Sequence, residues 1–224
     1  MPRLRAINAV SATAFVLGGS LFAFAAALAQ GDVGGPRLAA AVYLVGGFFF
    51  TTGAYAGLLL VANSRRGEDP DGILRTAPWR WLSLEPGRPD WAAGVVLFAG
   101  TLFFAVSLFD ALVGDLSVAQ LHRLVWSPEF VGCILFLVSG QITLAALWRA
   151  RHGGAPQERL DWALALVNQL GSVLFMVAAI AAFVRPATGD ALAVGVANWG
   201  TLTGALCFAF AGALQELQRP SLPG

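Results

Sequence analysis

The sequence predicts an all-helical integral membrane protein: six transmembrane helices, paired as three repeated helix hairpins, with both termini cytoplasmic. Three observations predict it: an apolar composition, six apolar runs of spanning length, and a Gly-x-x-x-Phe element in every run. Of 224 residues, 57% are hydrophobic and only 12% charged, and the mean hydropathy is +0.70. That leaves too little polar side chain to cover a water-soluble globule.

A helix of about 20 apolar residues crosses about 30 Å of hydrocarbon. The runs lie near residues 9–30, 37–62, 91–113, 128–149, 162–184 and 191–215. The first follows "MPRLR" and ends in "AAALAQ", a pattern that also suits a secretory signal with an A-x-A cleavage site. At 22 residues (9–30) it exceeds the roughly 7–15 of a signal core, so it is expected to stay as the first span. The third and fifth runs open alike, "DWAAGVVLFAGTLFF" at 90–104 and "DWALALVNQLGSVLF" at 161–175. Asn8, Asp90 and Asp161 each stand ten residues before a glycine, and are expected to cap the odd-numbered helices. Trp91 and Trp162 follow at the depth where indoles anchor to headgroups.

The glycines define a repeat. Gly18, Gly46, Gly100, Gly132, Gly171 and Gly204 are each followed four residues later by Phe, one in-register pair per span with a single further copy, Gly94 with Phe98, off the register, and their separations within the hairpins are 28, 32 and 33 residues. Residues i and i+4 share a helix face, so each glycine is a notch beside a phenylalanine that can fill a neighbour's notch. In lipid the hydrophobic effect does not drive helices together, and close packing through small residues substitutes for it. The chain is therefore read as a single membrane domain, 1–224, with hairpins 8–62, 90–149 and 161–216 and a loop at 63–90.

Arginine sets the orientation, because Lys and Arg in short loops are held on the cytoplasmic side. Lys is absent; Arg37, Arg123 and Arg185 fall on one side and the other 11 of the 14 arginines on the opposite side, which is expected to be cytoplasmic. The net charge of +1 offers no concentrated basic face for nucleic acid. The 63–90 loop mixes Arg75, Trp79, Arg80 and Trp81, the composition of a segment docked in the membrane interface, with a partner-binding epitope as the rival reading.

Groups that would carry chemistry are sparse. No charged residue stands near the expected centre of a span, and Asp110 reads as a rim residue. Cys133 and Cys207 fall at depths about 16 Å apart, too far for a disulfide, and His122 and His152 lie on opposite faces. Asp115, His122 and Glu129 on the outer side read as a solvated loop, a metal site being the alternative. No catalytic residue, metal ligand or cofactor is assigned. Gln141, Asn168, Gln169 and Asn198 are the polar intramembrane positions; interhelical hydrogen bonds explain them, and a small polar cavity is the other reading.

The last hairpin, "DWALALVNQLGSVLFMVAAIAAF" followed by "ANWGTLTGALCFAFAGALQ", resembles the YrhK-like domain, a membrane hairpin of bacterial proteins; the likeness is best over 161–215 and fainter over 90–150 and 8–62. The resemblance implies a bacterial multi-pass protein of the plasma membrane and brings no catalytic residues with it. The function expected is non-enzymatic, exercised by packing against lipid, a membrane protein partner or a second copy of the chain. A small channel or carrier for a neutral or small polar solute is the alternative.

Overall fold

The computed structural model describes residues 2–64, 79–153 and 159–217. They form six long helices: α1 (Pro2–Gln30), α2 (Gly35–Asn63), α3 (Pro89–Ala111), α4 (Val118–His152), α5 (Arg159–Ala181) and α6 (Val194–Leu217). All six are long and apolar enough to cross a membrane. Helix is the element such runs must adopt in lipid, since it satisfies backbone groups within the segment. Each helix packs on its neighbours in sequence, and α6 closes on α1, so the bundle is a ring. Both ends of the described chain lie at one end of it: Asn8 donates to the Gln215 carbonyl (3.2 Å), and Thr13 to the Glu216 carboxylate (3.1 Å).

Asn8, Asp90 and Asp161 are not N-caps. Asn8 is buried inside α1, which begins at Pro2; Arg88 is the N-cap of α3, and Asp161 stands in the first turn of α5, two residues beyond Arg159. Pro89 explains the earlier start of α3, because its fixed φ and missing N–H suit the first helical position. Asp90 still serves the first turn, its Oδ1 accepting the Trp91 amide at 2.9 Å.

The largest departure is in α4, which begins at Val118 instead of near residue 128. Pro128 reads in sequence as a helix start, since inside a helix it removes a hydrogen bond and clashes with the preceding turn. The turns just before it, Leu121–Trp126, are π-helical, which widens the backbone where the proline intrudes. Ser127 Oγ donates to the His122 carbonyl in the same stretch (2.6 Å). The true start is a capping box: the Ser117 hydroxyl accepts from the Gln120 amide while the Gln120 side chain accepts from the Ser117 amide (2.9 Å). Between α1 and α2 the chain turns through Gly34 and Gly35, both in the left-handed region (φ 74° and 75°).

The core is aromatic. Phe22, Phe50, Phe104, Phe136, Phe175 and Phe208 are buried together, one from each helix. Phe22, Phe104 and Phe175 form a triangle with centroids 6.0–6.4 Å apart. Phe50 and Phe136 lie 5.6 and 5.9 Å from Phe208. Contacts of 5.1–5.2 Å join Phe22 to Phe50, Phe104 to Phe136 and Phe175 to Phe208. Each pair contributes about 0.5–1.5 kcal/mol beyond the area it buries.

Candidate functional site

The six glycines of the repeat meet these rings reciprocally. A Cβ on Gly18 would lie 3.0 Å from Phe50, and one on Gly46 would lie 2.6 Å from Phe22. Gly100 faces Phe136 (2.7 Å) and Gly132 faces Phe104 (2.4 Å); Gly171 faces Phe208 (3.0 Å) and Gly204 faces Phe175 (2.6 Å). Within each pair the same Cβ would stand 3.0–3.2 Å from the partner glycine's carbonyl oxygen. Backbones this close leave no room for a side chain, which is why glycine stands there. The rings fill the axis, and the void left between them is about 10 Å³, barely one water's worth. Its polar lining residue, Thr101, already donates its hydroxyl to the Phe98 carbonyl (2.7 Å).

The four polar positions of the sequence do not converge. Gln169 packs against Gly140 between α4 and α5, its Oε1 buried without a hydrogen-bond partner among the described residues. Asn168 is half-buried one residue away, and its carbonyl accepts from Ser172 (3.0 Å). Gln141 is exposed on the outside of α4, and Asn198 donates to Gln30 (3.2 Å), linking α6 to α1 at the other end of the bundle. A polar cluster lies near the termini, joining Asn8, expected as a cap, to two residues the sequence does not mark: Ser11 donates to the Gly53 carbonyl (2.9 Å), and Gln215 Nε2 donates to Asn8 Oδ1 (3.2 Å) and Ser11 Oγ (3.3 Å).

Residues 79–88 form a strap from the end of α2 to the start of α3. Asn63 holds it at both backbone polar groups of Arg80 (2.8 and 2.9 Å), the Tyr55 hydroxyl donates to the Trp81 carbonyl (3.2 Å), and the Trp91 indole donates to the Ser83 carbonyl (3.0 Å). Glu85, buried, pairs with Arg88 (2.8 Å) and Arg80 (3.6 Å), and Arg88 also pairs with Asp90. The hydrogen bond to Asp90, and after it the one to Glu85, raise the Arg88 guanidinium further above its ordinary range, against the opposing effect of partial burial. Trp81 (66% exposed), Leu82 and Leu84 (both 82%) turn away from the protein, and Trp79 packs edge-on against Trp81. Arg75 lies outside the described residues.

The sequence groups Glu129 with Asp115 and His122 as a solvated outer loop, and no charged residue is expected near the centre of a span; the structure corrects both, since Glu129 stands eleven residues into the helix. It is three residues before Gly132, hence about 4.5 Å from the glycine layer, half-buried, and within electrostatic reach of Tyr43 and Cys133. The Ser117-x-x-Gln120 capping box is the signal that would have placed it. His122 is engaged elsewhere, bonding the Val184 carbonyl and stacking on Phe183 at 4.6 Å. Among the described residues no three His, Cys, Asp or Glu side chains gather as metal ligands. No protein-family model matches this chain, and neither the curated proteins nor the solved structures provide a match.

Proposed function

We propose that the chain is a non-enzymatic multi-pass protein of the bacterial plasma membrane, three YrhK-like hairpins closed into a ring, acting through its outer surface on lipid, a membrane protein partner or a second copy of itself. The observation that carries this reading is the aromatic filling of the axis: six phenylalanines occupy the place where a solute path would run. Large apolar side chains such as Phe24, Phe48, Leu166 and Phe210 instead face outward, about half exposed. The termini and the 63–90 segment are assigned to the cytoplasm by the distribution of arginines.

Two measurements test it. Reporters fused at the termini and in the 63–90 segment should read cytoplasm, and reporters near residues 120 and 187 the exterior; one inverted loop overturns the orientation. Liposomes bearing the purified chain should take up glycerol and urea no faster than protein-free liposomes. Faster uptake would favour the second reading, a small channel or carrier. Glu129 is the observation on its side, because an ionisable group at that depth is expensive and commonly functional. In that case Glu129→Gln should remove the uptake.

A further inference from the structure

Along α4 an open groove of about 360 Å³ is lined by Leu137, Val138, Gln141, Ile142, Ala145 and Arg149. The glycine layer marks mid-depth, since Gly100 is midway along α3 and faces Gly132 of α4. At 1.5 Å per residue the groove starts about 7 Å from that layer at Leu137 and runs about 18 Å toward the termini. Half of a bilayer's hydrocarbon is about 15 Å thick. The groove is thus apolar over the outer half of that leaflet's hydrocarbon, polar at Gln141 near the boundary, and cationic at its end beyond it.

The charge along that stretch of α4 is of one sign. Arg149, Arg151 and His152 occupy the last turn of α4, and the segment from Leu137 to His152 contains no acid. Side chains lean toward the N-terminus of their helix, so Arg149 leans back from the helix end toward the membrane, to the level where phosphates lie. Trp148, 58% exposed and against the His152 ring (4.5 Å), sits at the same level, where indoles favour the headgroup region.

We infer that this groove binds one anionic phospholipid of the leaflet on the side of the termini, the upper part of an acyl chain along Leu137, Val138 and Ile142, the glycerol region beside Ala145 and the phosphate on Arg149. The inference deepens the proposed action on lipid but needs only that the helices span a bilayer, and solute uptake does not bear on it. The test is native mass spectrometry of the full chain in a mild detergent, offered phosphatidylglycerol or phosphatidylcholine at equal concentration. One phosphatidylglycerol per chain should be retained preferentially. Arg149→Gln should weaken retention about tenfold, the loss of one charge-assisted hydrogen bond, and Ala145→Trp should remove it by filling the groove. Leu166→Trp, on the exposed face of α5, should leave it unchanged. Equal retention of both lipids, wild-type retention by Arg149→Gln, or equal loss in both tryptophan variants would overturn the assignment.

Discussion

At mid-depth α3 and α4 touch through Gly100 against Phe136 and Gly132 against Phe104, two notches filled by two rings. Seven residues from the glycine layer toward the termini, the same two helices are joined by a buried hydrogen bond from the Ser139 hydroxyl to the Ala93 carbonyl (2.8 Å). The first contact is made by shape and recurs around the ring with other residues of the same two types. The second is made by polarity, and its counterpart between α1 and α2 runs the other way, from Ser11 on the odd helix to Gly53 on the even one. Shape contacts lose van der Waals energy steeply with small gaps. Hydrogen bonds between membrane helices average only about 0.6 kcal/mol, because the separated helices find other partners. The mid-depth layer should accordingly hold the bundle together, and the terminal end should tune it.

Substitution at the glycines breaks the first half of that comparison, with the largest expected effect. Gly132→Leu should cost about 1–3 kcal/mol, the range for overpacking a filled interior, and lower the melting temperature in detergent. Gly46→Leu and Gly204→Leu should follow closely, and Gly18→Leu and Gly171→Leu should be milder, since their Cβ positions stand 3.0 Å from the nearest atoms against 2.4 Å at Gly132. Alanine should be milder at each site. Gly94→Leu is the control, because a Cβ there meets the end of the flexible Leu58 side chain at 3.3 Å. Equal and negligible shifts at all positions would mean that the close approaches do not limit stability.

The hydroxyls come next. Ser139→Ala should cost about 0.6 kcal/mol, and Ser11→Ala slightly more, because it also releases the Gln215 amide. Thermal unfolding of the two variants and of the double variant measures this; the sites lie on different hairpins, so their effects should add. A loss in either that matched Gly132→Leu would reverse the ranking of shape over polarity.

The legibility of the two regions in sequence differs for the same reason. The six spans follow from hydropathy, and most ends fall within three residues of the expected boundaries. Gly and Phe at fixed spacing can be read because a contact made by two residue types in every hairpin leaves a period. Ser11 and Gln215 carry no period, Asn8's place ten residues before a glycine points to a cap it does not form, and the meeting of the three depends on α6 closing on α1, which no local signal announces. Pro128 hides the start of α4, since its usual meaning at a helix start is overridden by the π-helical turns before it, and with ten residues of helix ahead of the proline Glu129 lies deeper than the outer-loop reading allows. In the 79–88 strap, Trp79, Trp81, Leu82 and Arg80 are legible as an interfacial composition, but nothing in the sequence says that Trp81, Leu82 and Leu84 all face outward. Their exposure comes from backbone carbonyls pinned by Tyr55, Asn63 and Trp91, three side chains distant in sequence.

That strap gives the smallest expected effect and the sharpest form of the comparison, because it is polarity acting entirely outside the packed layer. Glu85 ties Arg80 and Arg88 together beneath an outward row of Trp81, Leu82 and Leu84. Both arginines are partly exposed, so Glu85→Gln should change global unfolding by no more than about 1 kcal/mol, as for other ion pairs near solvent. Its effect should be local: the hydrogen bonds from Tyr55, Asn63 and Trp91 remain, but without the clasp they no longer suffice to hold the strap against the bilayer and Trp81 leaves the interface. The difference in fluorescence between the native chain and Trp81→Phe isolates that ring among the seven tryptophans. In lipid vesicles it should be quenched by brominated chains labelled near the headgroup and spared by aqueous iodide, and Glu85→Gln should exchange the two. If iodide alone quenches Trp81 in the native chain, the strap does not dock on the bilayer. If Glu85→Gln leaves lipid quenching intact while the melting temperature falls as far as for Gly132→Leu, the clasp belongs with the load of the bundle and the division between the two regions fails.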